Sequence, residues 1–141
     1  MMDITKIEKI SHVNIFNQIS NAGTLIQPVW NSKINLNFVP DYAIITDIVY
    51  NTKDSNDEKI YNINSSLAHG ESIGIFPGYN DLVIHSGGKQ IIQLSGNIIN
   101  DINFQITSFT TDGTNKQSDS GMVAGDSSSI LIGIDFIKLK P

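Results

Sequence analysis

The stretch Ile130-Leu131-Ile132-Gly133-Ile134-Asp135-Phe136 sets the period of this chain. Ile130, Ile132, Ile134 and Phe136 fall on one face at a step of two, with Gly133 and Asp135 between them. A step of two belongs to a pleated strand with one face on a core, whereas a helix repeats near 3.6. The β-branched and aromatic content favours a strand as well. Lys33-Ile34-Asn35-Leu36-Asn37-Phe38 alternates in the same way and predicts a strand with Ile34, Leu36 and Phe38 on the core face. Phe104 and Ile106 alternate with Asn103, Gln105 and Thr107.

Shorter runs extend the pattern. Residues 42–50 contain Ile44, Ile45, Ile48 and Val49 and predict a strand near the centre of a sheet. Residues 60–63, 72–76, 81–85 and 90–94 follow, the last three stopped by Pro77-Gly78, Ser86-Gly87-Gly88 and Ser95-Gly96-Asn97. Residues 24–30 are interrupted by Pro28, which suits an edge or a bend. Eight or nine strands emerge, with turn signals about every 8–12 residues, the rhythm of an antiparallel sandwich or barrel. At the N-terminus, Ile4, Ile7 and Ile10 follow a three-residue step that predicts one or two helical turns. Such a segment is not stable alone and needs its own sheet or another subunit to pack on. The expected organisation is an N-terminal arm, residues 1–22, and a β domain, residues 23–141.

Composition narrows the function. The 141 residues suit one domain. Only 16% are charged, and the net charge is −5. The surface is therefore built from Asn, Ser and Thr, which hydrogen-bond to neighbours but steer little at long range. An acidic chain with a mixed-sign start, Met1 to Lys9, predicts no direct nucleic-acid binding. There are no cysteines, so disulfides and thiolate metal sites are excluded, and folding in a cell interior is favoured. No run approaches the ~18 apolar residues of a membrane span, and the first residues do not read as a signal peptide.

No catalytic constellation emerges. Ser118-Asp119-Ser120-Gly121 lacks the G-x-S-x-G elbow of a serine hydrolase. His12, His69 and His85 stand in no metal motif and read as ordinary structural or solvent-facing histidines. Asp54, Asn56 and Glu58 have the spacing of a calcium loop but lack its glycine and its downstream acid. Gly87-Gly88-Lys89 joins two strands and opens no helix that could hold phosphate. Trp30, Tyr50, Tyr61 and Tyr79 could serve a glycan platform, though in a domain this small aromatics mostly pack. Asn64-Ser65-Ser66 is formally a glycosylation acceptor of the kind an Asn- and Ser-rich chain produces by chance. The expectation is no enzyme, no cofactor and no metal. Residues 111–129, with Gly113, Gly121 and Gly125, form a long loop and a candidate contact surface.

The stretch Ile34-Asn35-Leu36-Asn37-Phe38-Val39-Pro40-Asp41-Tyr42-Ala43-Ile44-Ile45-Thr46-Asp47-Ile48-Val49-Tyr50, continued by Ile60-Tyr61-Asn62-Ile63-Asn64-Ser65-Ser66-Leu67 and Ile73-Gly74-Ile75-Phe76, resembles small β-rich virion proteins. The family is the single jelly-roll capsid proteins of large DNA viruses and virophages, of penton or minor-capsid type. The resemblance spans residues 33–76. It implies a single jelly roll, a place in the virion, and partners that are copies of the chain itself, as trimer or pentamer, together with other capsid proteins. Full penton proteins carry insertions that this chain lacks, so a minor or accessory role stands beside a vertex role. In such a protein the function is subunit contact. The contact residues expected are Ile7, Ile10 and Phe16 in the arm and Met122 and Val123 in the long loop. The alternative is a carbohydrate- or receptor-binding sandwich such as a viral fibre tip.

Overall fold

The structure is a computed structural model, and it describes residues 4–20, 29–51, 59–78, 82–85, 90–110, 115–116 and 127–141. A short 3-10 turn, Ile4–Lys6, leads into ten strands: β1 (Ile7–Ser20), β2 (Val29–Lys33), β3 (Tyr42–Asn51), β4 (Lys59–Ser65), β5 (Ser72–Gly78), β6 (Leu82–His85), β7 (Gln90–Gln93), β8 (Asp101–Thr110), β9 (Asn115–Lys116) and β10 (Ser127–Leu139). All pairings are antiparallel. The first five-stranded sheet runs β1-β10-β3-β6, with β7 also on β3; the second runs β2-β8-β4-β5, with β9 also on β8. The chain is an all-β, antiparallel, two-sheet sandwich.

The core lies between the two inner faces. Ile130, Ile132, Ile134 and Phe136 of β10 are at most 1% exposed, and so is the set Ile63, Ile102, Phe104 and Ile106 from the second sheet. Burying each such side chain is worth roughly 1.5–3 kcal/mol, so the period-two runs on the two central strands supply most of the cohesion. On β3 the inward set is Ala43, Ile45, Ile48 and Tyr50, which changes parity at residue 46. The cause is a bulge: Gly133 pairs with Asp47 and Ile134 with Ile45, so Thr46 has no opposite residue. On β5, a Cβ at Gly74 would lie 2.6 Å from Ile48 Cδ1, so the glycine lets the two sheets close on each other there.

Three expectations are corrected. Residues 7–20 form a strand along β10, in register from Ile7↔Leu139 to Ser20↔Ser127, and the expected helical turns reduce to the 3-10 turn Ile4–Lys6. Antiparallel pairing satisfies the β10-facing half of this segment's backbone groups and buries Ile15, 5% exposed, against the core. Residues 34–38 lie outside the ladders, although Ile34, Leu36 and Phe38 do pack on the core as expected. They carry the chain from one sheet to the other: Ile34 N donates to Asn100 O at 2.9 Å, and Asp41 N donates to Ile137 O at 2.8 Å. β5 continues through Pro77-Gly78 instead of stopping before them, which an edge strand permits because no neighbour needs the missing N–H.

One end of the sandwich is closed by a second 3-10 turn, Ser66–Ala68. Buried Ser65 caps it, its Oγ accepting from Leu67 N at 3.2 Å. His69 and Gly70 follow with φ of 56° and 84°, and Gly70 N donates to Ser65 O at 2.9 Å.

Candidate interaction surface

The strand pairing places the outward side chains of the first sheet in rows. Ile10, Ile137 and Tyr42 lie side by side across β1, β10 and β3. His12, Asp135 and Ile44 form the next row, extended by Ile91 of β7. Asn14, Gly133 and Asp47 follow, then Phe16, Leu131 and Val49. Two apolar rows thus flank a polar centre. Ile10, Phe16 and Ile91 are 57%, 64% and 53% exposed on this face. Ile137, by contrast, is 2% exposed but stands outside the main core cluster, sheltered on this outer face between its neighbours.

The polar centre is a connected group. His12 Nδ1 lies 2.6 Å from Asp135 Oδ1, and His12 Nε2 lies 2.9 Å from Asn14 Oδ1. The Asp135 carboxylate accepts from the ring, and protonation of the imidazole gives a donor at both nitrogens. The hydrogen bonds to Asp135 and to Asn14 accordingly raise the His12 pKa above its ordinary value, and the negative charges of Asp135 and Asp47 add to this against a small opposing effect of burial. The neighbouring bulge brings Thr46 Oγ1 to 2.7 Å from where a Gly133 Cβ would stand. Thr46 Oγ1 is buried and has no hydrogen-bond partner among the described residues. Gly133 is thus the one residue that leaves room for the Thr46 side chain over β10.

The outer face of the second sheet differs. Its rows join Asn31 to Asn103, Lys33 to Asp101, and Asn64 to Gln105 and Val29. Carboxamides pair directly: Asn103 Nδ2 donates to Asn31 Oδ1 at 3.0 Å, and Asn62 Nδ2 to Asn64 Oδ1 at 2.8 Å. Asn64, Ser66, His69, Asn103 and Gln105 line a shallow cleft of about 220 Å³. Val29 and Ile75, 52% and 62% exposed, stand on the same face among these carboxamides.

Of the contact residues expected from the sequence, Ile10 and Phe16 stand exposed on the outer face of β1, and Ile7 is half-buried at the start of that strand. Met122 and Val123 lie outside the described residues, as do Asp54, Asn56, Glu58, Tyr79, Gly87-Gly88-Lys89 and Ser118-Asp119-Ser120-Gly121. Tyr50 is a core residue at 0% exposure. Trp30 and Tyr61 lie in β2 and β4, and His85 ends β6. His69 is an exposed turn residue, whereas His12, read as an ordinary histidine, is the hub of the polar centre. Its partner Asp135 is 123 positions away, a distance that sequence reading did not bridge. The alternation His12, Asn14, Phe16 was the available signal.

Among the described residues, no group of three or more His, Cys, Asp or Glu is placed to hold a metal ion, and no helix is long and apolar enough to cross a membrane. No family model matches the chain, and no curated protein matches it. Among solved structures, a chain of "Structure of infectious bursal disease virus Gt strain" is similar over 92% of this chain, at 13% sequence identity and a TM-score of 0.35. This chain spans 32% of that chain's length.

Proposed function

We propose that the protein is a single jelly roll serving as a structural component of a virion, of penton or minor-capsid type, acting by subunit contact without chemistry. The strand order supports the fold. With β6 and β7 counted as one interrupted strand on β3, and β9 as an accessory to β8, eight strands remain. The first then pairs with the last, the second with the seventh, the third with the sixth and the fourth with the fifth. A ribbon folded over on itself wraps in this nested way, and two Greek keys in two sheets are the jelly-roll arrangement. The observation that carries the function is the outer face of the first sheet, where Ile10, Phe16 and Ile91 remain exposed. Exposed apolar side chains gathered on one face, beside polar groups, mark a contact surface. The contacts join copies of this chain as trimer or pentamer, and join it to other capsid proteins, after folding in the host cell interior.

Sedimentation velocity of the full-length chain over a hundredfold concentration range tests this. A closed oligomer supports it. A species that stays monomeric throughout contradicts self-assembly.

The amide-lined cleft of the second sheet favours a second function, recognition of a neutral hydroxylated ligand such as a sugar. Its lining has both donors and acceptors and includes no Asp, Glu, Lys or Arg. Glycan binding by a monomer that is insensitive to changes at Ile10 and Phe16 would place this function ahead of assembly.

A further inference from the structure

The described sheets have four outer edges, and they are not alike. The β5 edge carries Gly74, Pro77 and Gly78. The edge facing β3 is split into two pieces of 4 residues, β6 and β7. The edge facing β8 is split into β2 and β9, of 5 and 2 residues. β1 runs unbroken for 14 residues and pairs only with β10 among the described strands. Its register irregularity is confined to Ile7 and Lys9 at its start. From residue 10 to residue 20 it contains no Pro, Gly, Asp, Glu, Lys or Arg. Natural edge strands are shielded by charges, prolines, bulges or shortness. β1 has none of these over most of its length. Its outer backbone groups form a row about 45 Å long, taking ~3.3 Å per residue. An extended strand of similar length is the partner such a row fits.

We propose that β1 pairs edge to edge and antiparallel with β1 of a second copy, about a twofold axis at Val13. The inference rests on the proposal that the protein self-associates, and it names the contact. Register selects the axis. Centred on Val13, exposed Ile10 meets exposed Phe16 of the second copy, and Phe16 meets Ile10, on the same outer face. His12 meets Asn14 in both directions, polar residue against polar residue. On the inner face Val13 meets its own copy, and Ile15 meets Ser11. One step away, the match is lost. Centred on His12, the two imidazoles oppose each other and Phe16 faces Glu8. Centred on Asn14, Phe16 faces His12 and Ile10 faces Gln18. An isologous contact of this kind uses one patch twice and closes on itself. It joins two sheets of the sandwich type into one continuous sheet, and it links closed rings in pairs where rings form.

The absence of cysteine from the chain makes the test direct. Ile10→Cys and Phe16→Cys are made separately; both sites are outward and exposed, so both variants fold. Opposed residues in an antiparallel pair have Cβ atoms about 4.5–5.5 Å apart, close enough for a disulfide after slight adjustment. Under mild oxidation a one-to-one mixture is expected to form a cross-linked dimer at least tenfold faster than either variant alone. Mass spectrometry should identify the residue 10–residue 16 linkage. A mixture of His12→Cys and Asn14→Cys, opposed in the same register with Ile10 and Phe16 intact, is expected to cross-link as well. Equal rates for mixed and single variants, or faster homotypic linkage, overturn the register. An oligomeric wild-type protein with neither mixed cross-link overturns the edge pairing while leaving self-assembly standing. A monomeric wild-type protein overturns both.

Discussion

Phe16 and Phe136 sit on neighbouring strands of the same sheet and face opposite ways, so truncating each should have very different consequences. Phe136 is 0% exposed, between the two sheets. Removing a fully buried ring costs about 3–5 kcal/mol, because the transfer energy is lost and a cavity remains. Phe16 is 64% exposed. Only about a third of the ~1.5–3 kcal/mol available from full burial is at stake, and alanine's weaker β-propensity adds less than about 1 kcal/mol. Phe16→Ala should therefore cost about 1–1.5 kcal/mol in the monomer, and Phe136→Ala about 1.5–4 kcal/mol more. With a urea m-value of about 1–3 kcal/mol/M, the unfolding midpoints of the two variants should differ by at least roughly 0.5 M. The assay is urea unfolding followed by far-ultraviolet circular dichroism, repeated at several protein concentrations. Any concentration-dependent part of the Phe16→Ala effect belongs to assembly and not to the fold. Equal midpoints extrapolated to low concentration would refute the assignment of Phe16 to the outer face.

Other perturbations probe the polar centre and the turn. The His12 pKa is raised in the folded state, so its stabilising contribution is complete below the unfolded value of about 6.5 and fades as pH rises through the folded value. Wild type should thus lose stability relative to His12→Gln as pH rises above about 6.5, measured as the difference between their urea midpoints. Thr46→Val replaces a buried hydroxyl that lacks a partner among the described residues with a methyl of the same shape. It should be neutral or stabilising by up to ~1 kcal/mol in thermal unfolding. Gly133→Ala drives a Cβ to within 2.7 Å of Thr46 Oγ1 and should destabilise by about 1–3 kcal/mol; combining it with Thr46→Ala should recover much of that loss. Ser65→Ala removes the cap on the turn Ser66–Ala68 and should cost about 1 kcal/mol.

The inner faces were legible because burial enforces a step of two. Ile130 to Phe136 and Phe104 with Ile106 alternate cleanly, and all face the core. The run over residues 42–50 was legible as a strand but not in its facing, because the bulge at Thr46 reverses parity midway. β1 was misread for an instructive reason. Ile10 and Phe16 are apolar yet point outward, so the alternation that marks a half-buried strand is blurred where the outer face is itself suited to contact. The spacing Ile4, Ile7, Ile10 then suggested a helix. The polar centre was not legible, because His12 meets Asp135 and Asp47 only after β1, β10 and β3 are brought side by side. Residues 34–38 kept their inward pattern without a ladder, since packing sets the side-chain alternation even where a segment is crossing between sheets.

The measurement that bears most directly on the central claim is the absolute mass of the full-length protein by size exclusion with light scattering, beside that of Ile10→Ser/Phe16→Ser. The account expects an oligomer for the wild type and a folded species of lower mass for the variant. A wild-type monomer, or an oligomer whose mass the two substitutions leave unchanged, would contradict it.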